Sequence, residues 1–218
     1  MHIPDGILPA PACIGGYALT GLATWYSLRQ INRRPTPTED MPKAALLTAA
    51  FFVASSIHLP IPPASVHLVL NGLLGVVLGY YAFPAILIGL FFQAVMFGHG
   101  GLTTLGVNAA MMGIPALLAY HLFLWHSRLQ RSLPQKLPQK WVMPLFAFLA
   151  GAFGLGLAAL IFFTLIITTI PSGFNVATEQ TAVTGLSIAH IPLILIEGIF
   201  TAMLVSFLQR VKPELLKG

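Results

Sequence analysis

Long apolar runs, broken by proline, glycine or charge, dominate the chain. Seven of them approach the ~20 residues that a helix needs to cross a ~30 Å hydrocarbon layer. They fall near 9–29, 43–61, 66–83, 84–98, 103–126, 142–170 and 189–209. The fourth is short for a full crossing, which predicts a helix that is tilted, partly re-entrant, or begun earlier in the chain. Only one polar stretch precedes them, the hexapeptide Met1-His2-Ile3-Pro4-Asp5-Gly6. The pattern predicts an all-α integral membrane protein with seven transmembrane helices. It forms a single transmembrane domain over 1–218, in which 1–8 lead, 9–209 hold the helices and 210–218 form a tail.

Composition agrees, with 56% hydrophobic and 8% charged residues in 218 against roughly a quarter charged in soluble domains. The formal net charge of +5 would fit a nucleic-acid surface if the basic residues formed one folded patch. They do not. Arg29, Arg33, Arg34 and Lys43 follow the first helix, Arg128, Arg131, Lys136 and Lys140 the fifth, and Arg210, Lys212 and Lys217 the seventh. In a seven-span chain those places share one side, so the positive-inside rule predicts an outer amino terminus and a cytoplasmic carboxyl terminus. No nucleic-acid partner is expected; the bilayer is. The one cysteine, Cys13, excludes an internal disulfide and any CxxC site. The lack of a basic region before it argues against a cleaved signal peptide.

Sorted by side, His2, His58, His67, His99 and His190 fall at the outer ends of helices, and His121 and His126 near the inner end of the fifth. Imidazole suits Ni, Cu, Co and Zn. A free terminus followed by His2 is a chelate in itself, because the amine, the Met1–His2 amide nitrogen and the imidazole close two fused rings on one cation. The same residues also fit a frayed end. The run Pro60-Ile61-Pro62-Pro63-Ala64-Ser65-Val66-His67 must stop the second helix and turn the chain rigidly. It is expected to set His67 in the first turn of the third helix. There Ser65 acts as N-cap or as a group steadying a ligand imidazole. If the hexapeptide folds back to His67, four nitrogens surround the ion. That field suits Ni(II) first, then Co(II), whereas Zn(II) prefers a tetrahedron and Mg(II) or Ca(II) oxygen.

Met1-His2-Ile3-Pro4-Asp5-Gly6, Ser65-Val66-His67-Leu68-Val69-Leu70-Asn71-Gly72, and Phe91-Phe92-Gln93 leading to Gly98-His99-Gly100-Gly101-Leu102-Thr103-Thr104-Leu105-Gly106-Val107-Asn108 resemble the CbiM/NikM family. Ala189-His190 and Ile196-Glu197-Gly198 continue the match. These proteins are the substrate-binding (S) components of energy-coupling factor (ECF) nickel and cobalt importers. The resemblance implies a seven-helix S component whose amino-terminal segment inserts into the bundle and binds the ion through the Met1 nitrogen, the His2 nitrogen, the His2 side chain and His67. It also implies a prokaryotic cytoplasmic membrane, an ECF transmembrane coupling protein, two cytoplasmic ATPase subunits and often a small accessory membrane subunit. Ile-Pro-Asp at 3–5 resembles the nickel branch more than the cobalt branch.

The chain has no GxxxxGK[ST] loop, so it is not expected to hydrolyse ATP itself. Ala45-x-x-x-Ala49 and Ala50-x-x-x-Ala54 give small-residue spacing that lets helices approach closely, either toward the coupling protein or within the chain. Asn71, Gln93, Asn108 and Glu197 are costly in lipid and are expected inside the bundle, bonded to one another, to loop backbone or to the inserted terminus. His190 joins them as a gating candidate. The Gly98–Gly101 loop is either a tight turn or a lid that offers His99 to an incoming ion. Asp5 is expected to accept a hydrogen bond from a ligand imidazole. Repeated His pairs at helical spacing are absent, which argues against a membrane hydroxylase. A self-sufficient secondary transporter would need titratable groups along a through-path, and only Glu197 lies deep.

Overall fold

The computed structural model describes residues 2–61, 64–132, 141–169 and 176–216, with side chains described for all of these except 58–61, 64–66, 132 and 176–183. These residues hold seven α-helices: α1 (Ala10–Ile31), α2 (Met41–Ala54), α3 (Asn71–Leu78), α4 (Ala82–Phe97), α5 (Leu105–Ser132), α6 (Val142–Thr168) and α7 (Val176–Val211). Among the described residues, four stretches are long and apolar enough to cross a membrane: Asn71–Phe97, Leu105–Arg131, Val142–Thr168 and Thr184–Val211. The 22-residue α1 is not among them, and α2 is apolar but has only 14 residues.

Two predicted helices are replaced in part by a hairpin. The expected helix over 43–61 ends at Ala54, because the Ser55 and Ser56 hydroxyls bond back to the Phe51 and Phe52 carbonyls at 2.7 and 2.9 Å. Beyond it, β1 (His58–Ile61) pairs antiparallel with β2 (Ala64–His67), setting His58 opposite His67. His67 therefore ends a strand and does not open a helix, and Ser65 sits inside β2, not at an N-cap. The side chains of Ser65 and His58 lie outside the described residues. Residues 68–70 are extended or bent, Leu70 takes φ 54°, and α3 starts only at Asn71.

α3 and α4 form an antiparallel helical hairpin. Asn71 Nδ2 donates to Met112 O at 3.2 Å, Gly75 abuts Ala116 and Gly79 abuts Tyr120, so α3 runs alongside α5 in the same direction. The chain turns at Gly79, where φ is 58°, a conformation that glycine adopts without penalty. α4 then returns with Phe83 against Gly113. At Gly72 and Gly154 the α3 and α6 backbones approach too closely for a Cβ on either. Asn71 locks this crossing. Its Nδ2 also donates to Gly154 O at 2.9 Å, and its Oδ1 accepts from Gly72 N at 2.9 Å. Asn71→Leu is expected to cost about 1–3 kcal/mol by stranding buried groups. That lowers the thermal midpoint in detergent by roughly 2–10 °C for a chain of this size.

The two ends of the bundle differ in character. Where α1 finishes, Arg34 and Lys43 pair with Asp40 at 3.0 and 2.9 Å, and Lys43 reaches Leu215 O at 3.4 Å, joining the α1–α2 loop to the carboxyl-terminal turn. Where α1 begins, residues 2–8 turn back into the bundle: Ile3 is fully buried and Leu8 is buried. The described helices match the predicted runs most closely in α1, α4, α5 and α6. α7 begins well before the predicted 189.

Candidate metal-capture site

The leading segment is held by its backbone. Asn108, one turn into α5, works as a peptide mimic: its Oδ1 accepts from Ile3 N and its Nδ2 donates to Ile3 O, both at 3.0 Å. Thr104 Oγ1, four residues earlier on the same face, also donates to Ile3 O at 2.7 Å. With the Ile3 side chain in the same buried apolar cluster as Val69, Leu90 and Leu105, the apolar residue inside a polar hexapeptide becomes the anchor.

Asp5 is bonded to the loop before α5. Its Oδ1 accepts from Thr103 N at 3.0 Å, Thr103 Oγ1 at 2.5 Å and Thr104 N at 3.3 Å. The carboxylate therefore satisfies amides at the start of α5 and ties the segment to the loop before it. The Thr103 hydroxyl, followed by the two backbone amides, holds its pKa below the usual carboxylate value. A side chain at Gly101 would collide with this carboxylate, and one at Gly100 would crowd Asn108 and the His2 ring. Gly100, at φ 76°, is also in a backbone conformation that favours glycine.

Anchoring at Ile3 places His2 between two other histidines. Its ring stacks on His67 at 5.0 Å between centroids and on His99 at 6.1 Å. His2 Nε2 lies 2.9 Å from Gln93 Oε1. The Gln93 amide is oriented by donating to Ser55 Oγ, whose own hydroxyl is given to Phe51 O. Oε1 can only accept, so the His2 proton sits on Nε2 and its lone pair on Nδ1. His67 Nδ1 faces Leu68 O at 3.1 Å, which puts the proton on Nδ1 and the lone pair on Nε2. Each ring thus spends its N–H on an acceptor, as metal-binding histidines do.

Burial, then the positive amino terminus, then His67 push the His2 pKa well below 6.5. The ring stays neutral where an exposed imidazole would charge. The sign follows: above 6.5 docked and undocked segments are both neutral. Below it the undocked segment takes up a proton that the docked one refuses, so docking weakens by up to ~1.4 kcal/mol per pH unit. The protection factor of the Ile3 amide, its hydrogen-exchange rate corrected for the intrinsic rate at each pH, is expected to fall by up to ~10-fold per pH unit as pH drops below 6.5.

Among the described residues, no group of three His, Cys, Asp or Glu side chains is gathered to hold a metal. A metal here would need donors beyond these, and Met1 and the His58 side chain lie outside the described residues. His190 is buried on α7, with Nδ1 bonded to Leu186 O at 2.7 Å. Asn71 is bonded to α5 and α6 through Met112 O and Gly154 O. Glu197 Oε1 accepts from Val69 N and Leu70 N at 2.5 and 3.0 Å. Ala45 and Ala49 are exposed and line an apolar groove of about 740 Å³ between α1, α2 and α4; Ala50 is exposed and Ala54 half-buried. Sequence reasoning missed Thr103, Thr104, Ser55 and the anchoring role of Ile3. The four-residue spacing of Thr104 and Asn108, one face of a helix, was the available signal for the clamp.

Comparison with known proteins decides the family. Residues 2–215 match the CbiM model, described as the cobalt uptake substrate-specific transmembrane region. The chain belongs to the CbiM family. This chain is 35% identical, over 99% of its length and 97% of the relative's, to a Haemophilus influenzae protein described in general terms as a metal transport protein. It is 34% identical to the fused nickel transport protein NikMN of Rhodobacter capsulatus, over 99% of this chain and 64% of that one. A solved structure described as a truncated transition metal transporter superposes with a TM-score of 0.71 at 22% identity, covering 96% of this chain and 99% of that one, and shares the fold. The chain is thus a membrane protein of a metal-transport family, whose family model is described for cobalt uptake and whose relatives include a nickel transport protein.

Proposed function

We propose that this CbiM-family protein captures a divalent transition metal ion, Ni(II) ahead of Co(II), as the substrate-specificity component of an ATP-driven ECF importer. The ion is held in a roughly square plane by the Met1 amine, the His2 amide nitrogen, His2 Nδ1 and His67 Nε2. The observation that carries this reading is the pair of imidazoles at 5.0 Å whose outer nitrogens are both committed to acceptors. With those nitrogens acting as donors, His2 Nδ1 and His67 Nε2 are the acceptor nitrogens of the two rings and can serve as metal ligands. A deprotonated amide in the plane favours a tetragonal d8 ion over Zn(II), and binding releases protons, so affinity falls with acid.

The basic end of the bundle supports a cytoplasmic carboxyl terminus and an outer metal site under the positive-inside rule, in seven crossings of a prokaryotic cytoplasmic membrane. One domain over 1–218 carries the function. The missing phosphate loop leaves ATP hydrolysis to two cytoplasmic ATPase subunits, joined through a transmembrane coupling protein that the Ala45–Ala49 groove suits. The fused NikMN relative supports a further membrane subunit beside this one.

Metal analysis and the absorption spectrum of the purified protein loaded with Ni(II) test the reading. One equivalent with a square-planar d–d band near the visible region is expected. An octahedral spectrum, or no retained metal, refutes it. ATP-independent net flux from the chain alone in liposomes would instead identify a secondary transporter.

A further inference from the structure

Among the described side chains of α7, Glu197 alone carries a carboxylate into the core, and it is fully buried. A buried carboxylate there is expected to bond to other polar side chains, to loop backbone or to the inserted terminus. The bonds it makes are narrower than that. Both go from Oε1 to consecutive amides, Val69 N at 2.5 Å and Leu70 N at 3.0 Å, in the segment directly after His67. Its Oε2 is buried with no hydrogen-bond partner among the described residues. Burying a carboxylate half-satisfied is costly, so these two amides are what the residue is placed for.

The amide of Val69 belongs to the same planar peptide group as the carbonyl of Leu68. That carbonyl accepts the His67 Nδ1 proton at 3.1 Å. One peptide unit therefore lies between a carboxylate on its N–H side and an imidazole on its C=O side. A peptide that donates to an anion is polarised, and its carbonyl becomes a stronger acceptor. A metal-binding imidazole that gives its second N–H to a strong acceptor is fixed in tautomer and orientation and is more basic. The same carboxylate secures Leu70, the one non-glycine residue at positive φ among the described residues, just where α3 starts without a side-chain cap. Leu70 pays a steric cost at φ 54° that persists only when neighbours enforce it.

We infer that Glu197 is a positioning residue for His67, acting through the Leu68–Val69 peptide as a carboxylate–peptide–imidazole relay that aims and strengthens His67 Nε2. This rests on the four-nitrogen reading of the site. Loss of an outer partner of a metal-bound histidine typically costs ~10–100-fold in affinity.

The test uses the full chain in detergent, with Ni(II) as the probe, measuring affinity and the d–d absorption band. Glu197→Ala is expected to weaken nickel binding by at least about 10-fold and to shift or broaden the band. Glu197→Gln keeps an oxygen for both amides but not the charge. It is expected to restore the band shape and most of the affinity, remaining about 3-fold weaker, a margin set by the loss of charge assistance. In a His67→Ala background, Glu197→Ala is expected to add almost nothing, because the two residues share one path. Glu197→Met, which keeps the volume without the acceptor, replaces the alanine variant if that one does not survive solubilisation. An unchanged affinity and band in the variant lacking the acceptor overturns the inference, as does full additivity with His67→Ala. Wild-type protein that binds no nickel overturns the site reading instead.

Discussion

One extra residue ahead of Met1 is expected to abolish high-affinity nickel binding while the protein stays folded. The added peptide bond converts the Met1 amine, a strong donor, into an amide and moves the new amine out of the fused rings. The structure offers no slack to compensate. Ile3 is fully buried and fixed at both its N–H and C=O by Asn108. Asp5 holds the segment again at Thr103 and Thr104, and Gly100 lies against the His2 ring. The segment cannot slide by one residue without breaking these bonds. Isothermal titration with Ni(II), beside thermal unfolding of the same preparation, checks this. Undiminished affinity in the extended protein sinks the terminal chelate, whatever else binds the metal. The same logic requires Met1 to be retained and unblocked, so mass spectrometry of the purified chain must show an unmodified Met1.

His67→Ala is expected to weaken nickel binding by more than the ~10–100-fold that follows loss of an outer partner, since it removes a donor atom. Three nitrogens from the first two residues would remain, and water would complete the plane. The d–d band should therefore move to lower energy without vanishing, as a nitrogen gives way to a weaker-field oxygen. Folding should change little, because the His67 ring is not what holds the hairpin: the β1–β2 pairing and the Glu197 bonds to Val69 and Leu70 involve backbone atoms. An unchanged affinity would assign the fourth donor elsewhere, with His99, stacked 6.1 Å from His2, as the next residue to replace.

Much of this was legible in the residues. The apolar runs located α1, α4, α5 and α6, because the need to satisfy every backbone group inside a bilayer ties apolar length to helix. Intramembrane Asn71, Gln93, Asn108 and Glu197 were readable as interior groups from the cost of leaving them in lipid. The hexapeptide stood out through its chemistry, and His67 through the proline-rich turn before it. The hairpin was not legible. Prolines announce that a helix stops, but whether the released backbone pairs with itself depends on what covers it. The early start given to the helix over 66–83 followed from that, as did the N-cap role given to Ser65.

The sequence alone determined that this is a membrane protein, which end of the bundle collects positive charge, and which residues were chemically able to bind a cation, since composition and charge position are properties of the chain. Tertiary structure decided who serves whom. Asp5 ties the leading segment to the loop before α5, Asn108 clamps the Ile3 backbone, Gln93 faces His2 Nε2, and Glu197 accepts from the Val69 and Leu70 amides. The physical reason is directionality. A buried polar group must bond to something, which the sequence predicts, but hydrogen bonds are short and angular. Only the packed helices fix which acceptor stands within about 3 Å of which proton.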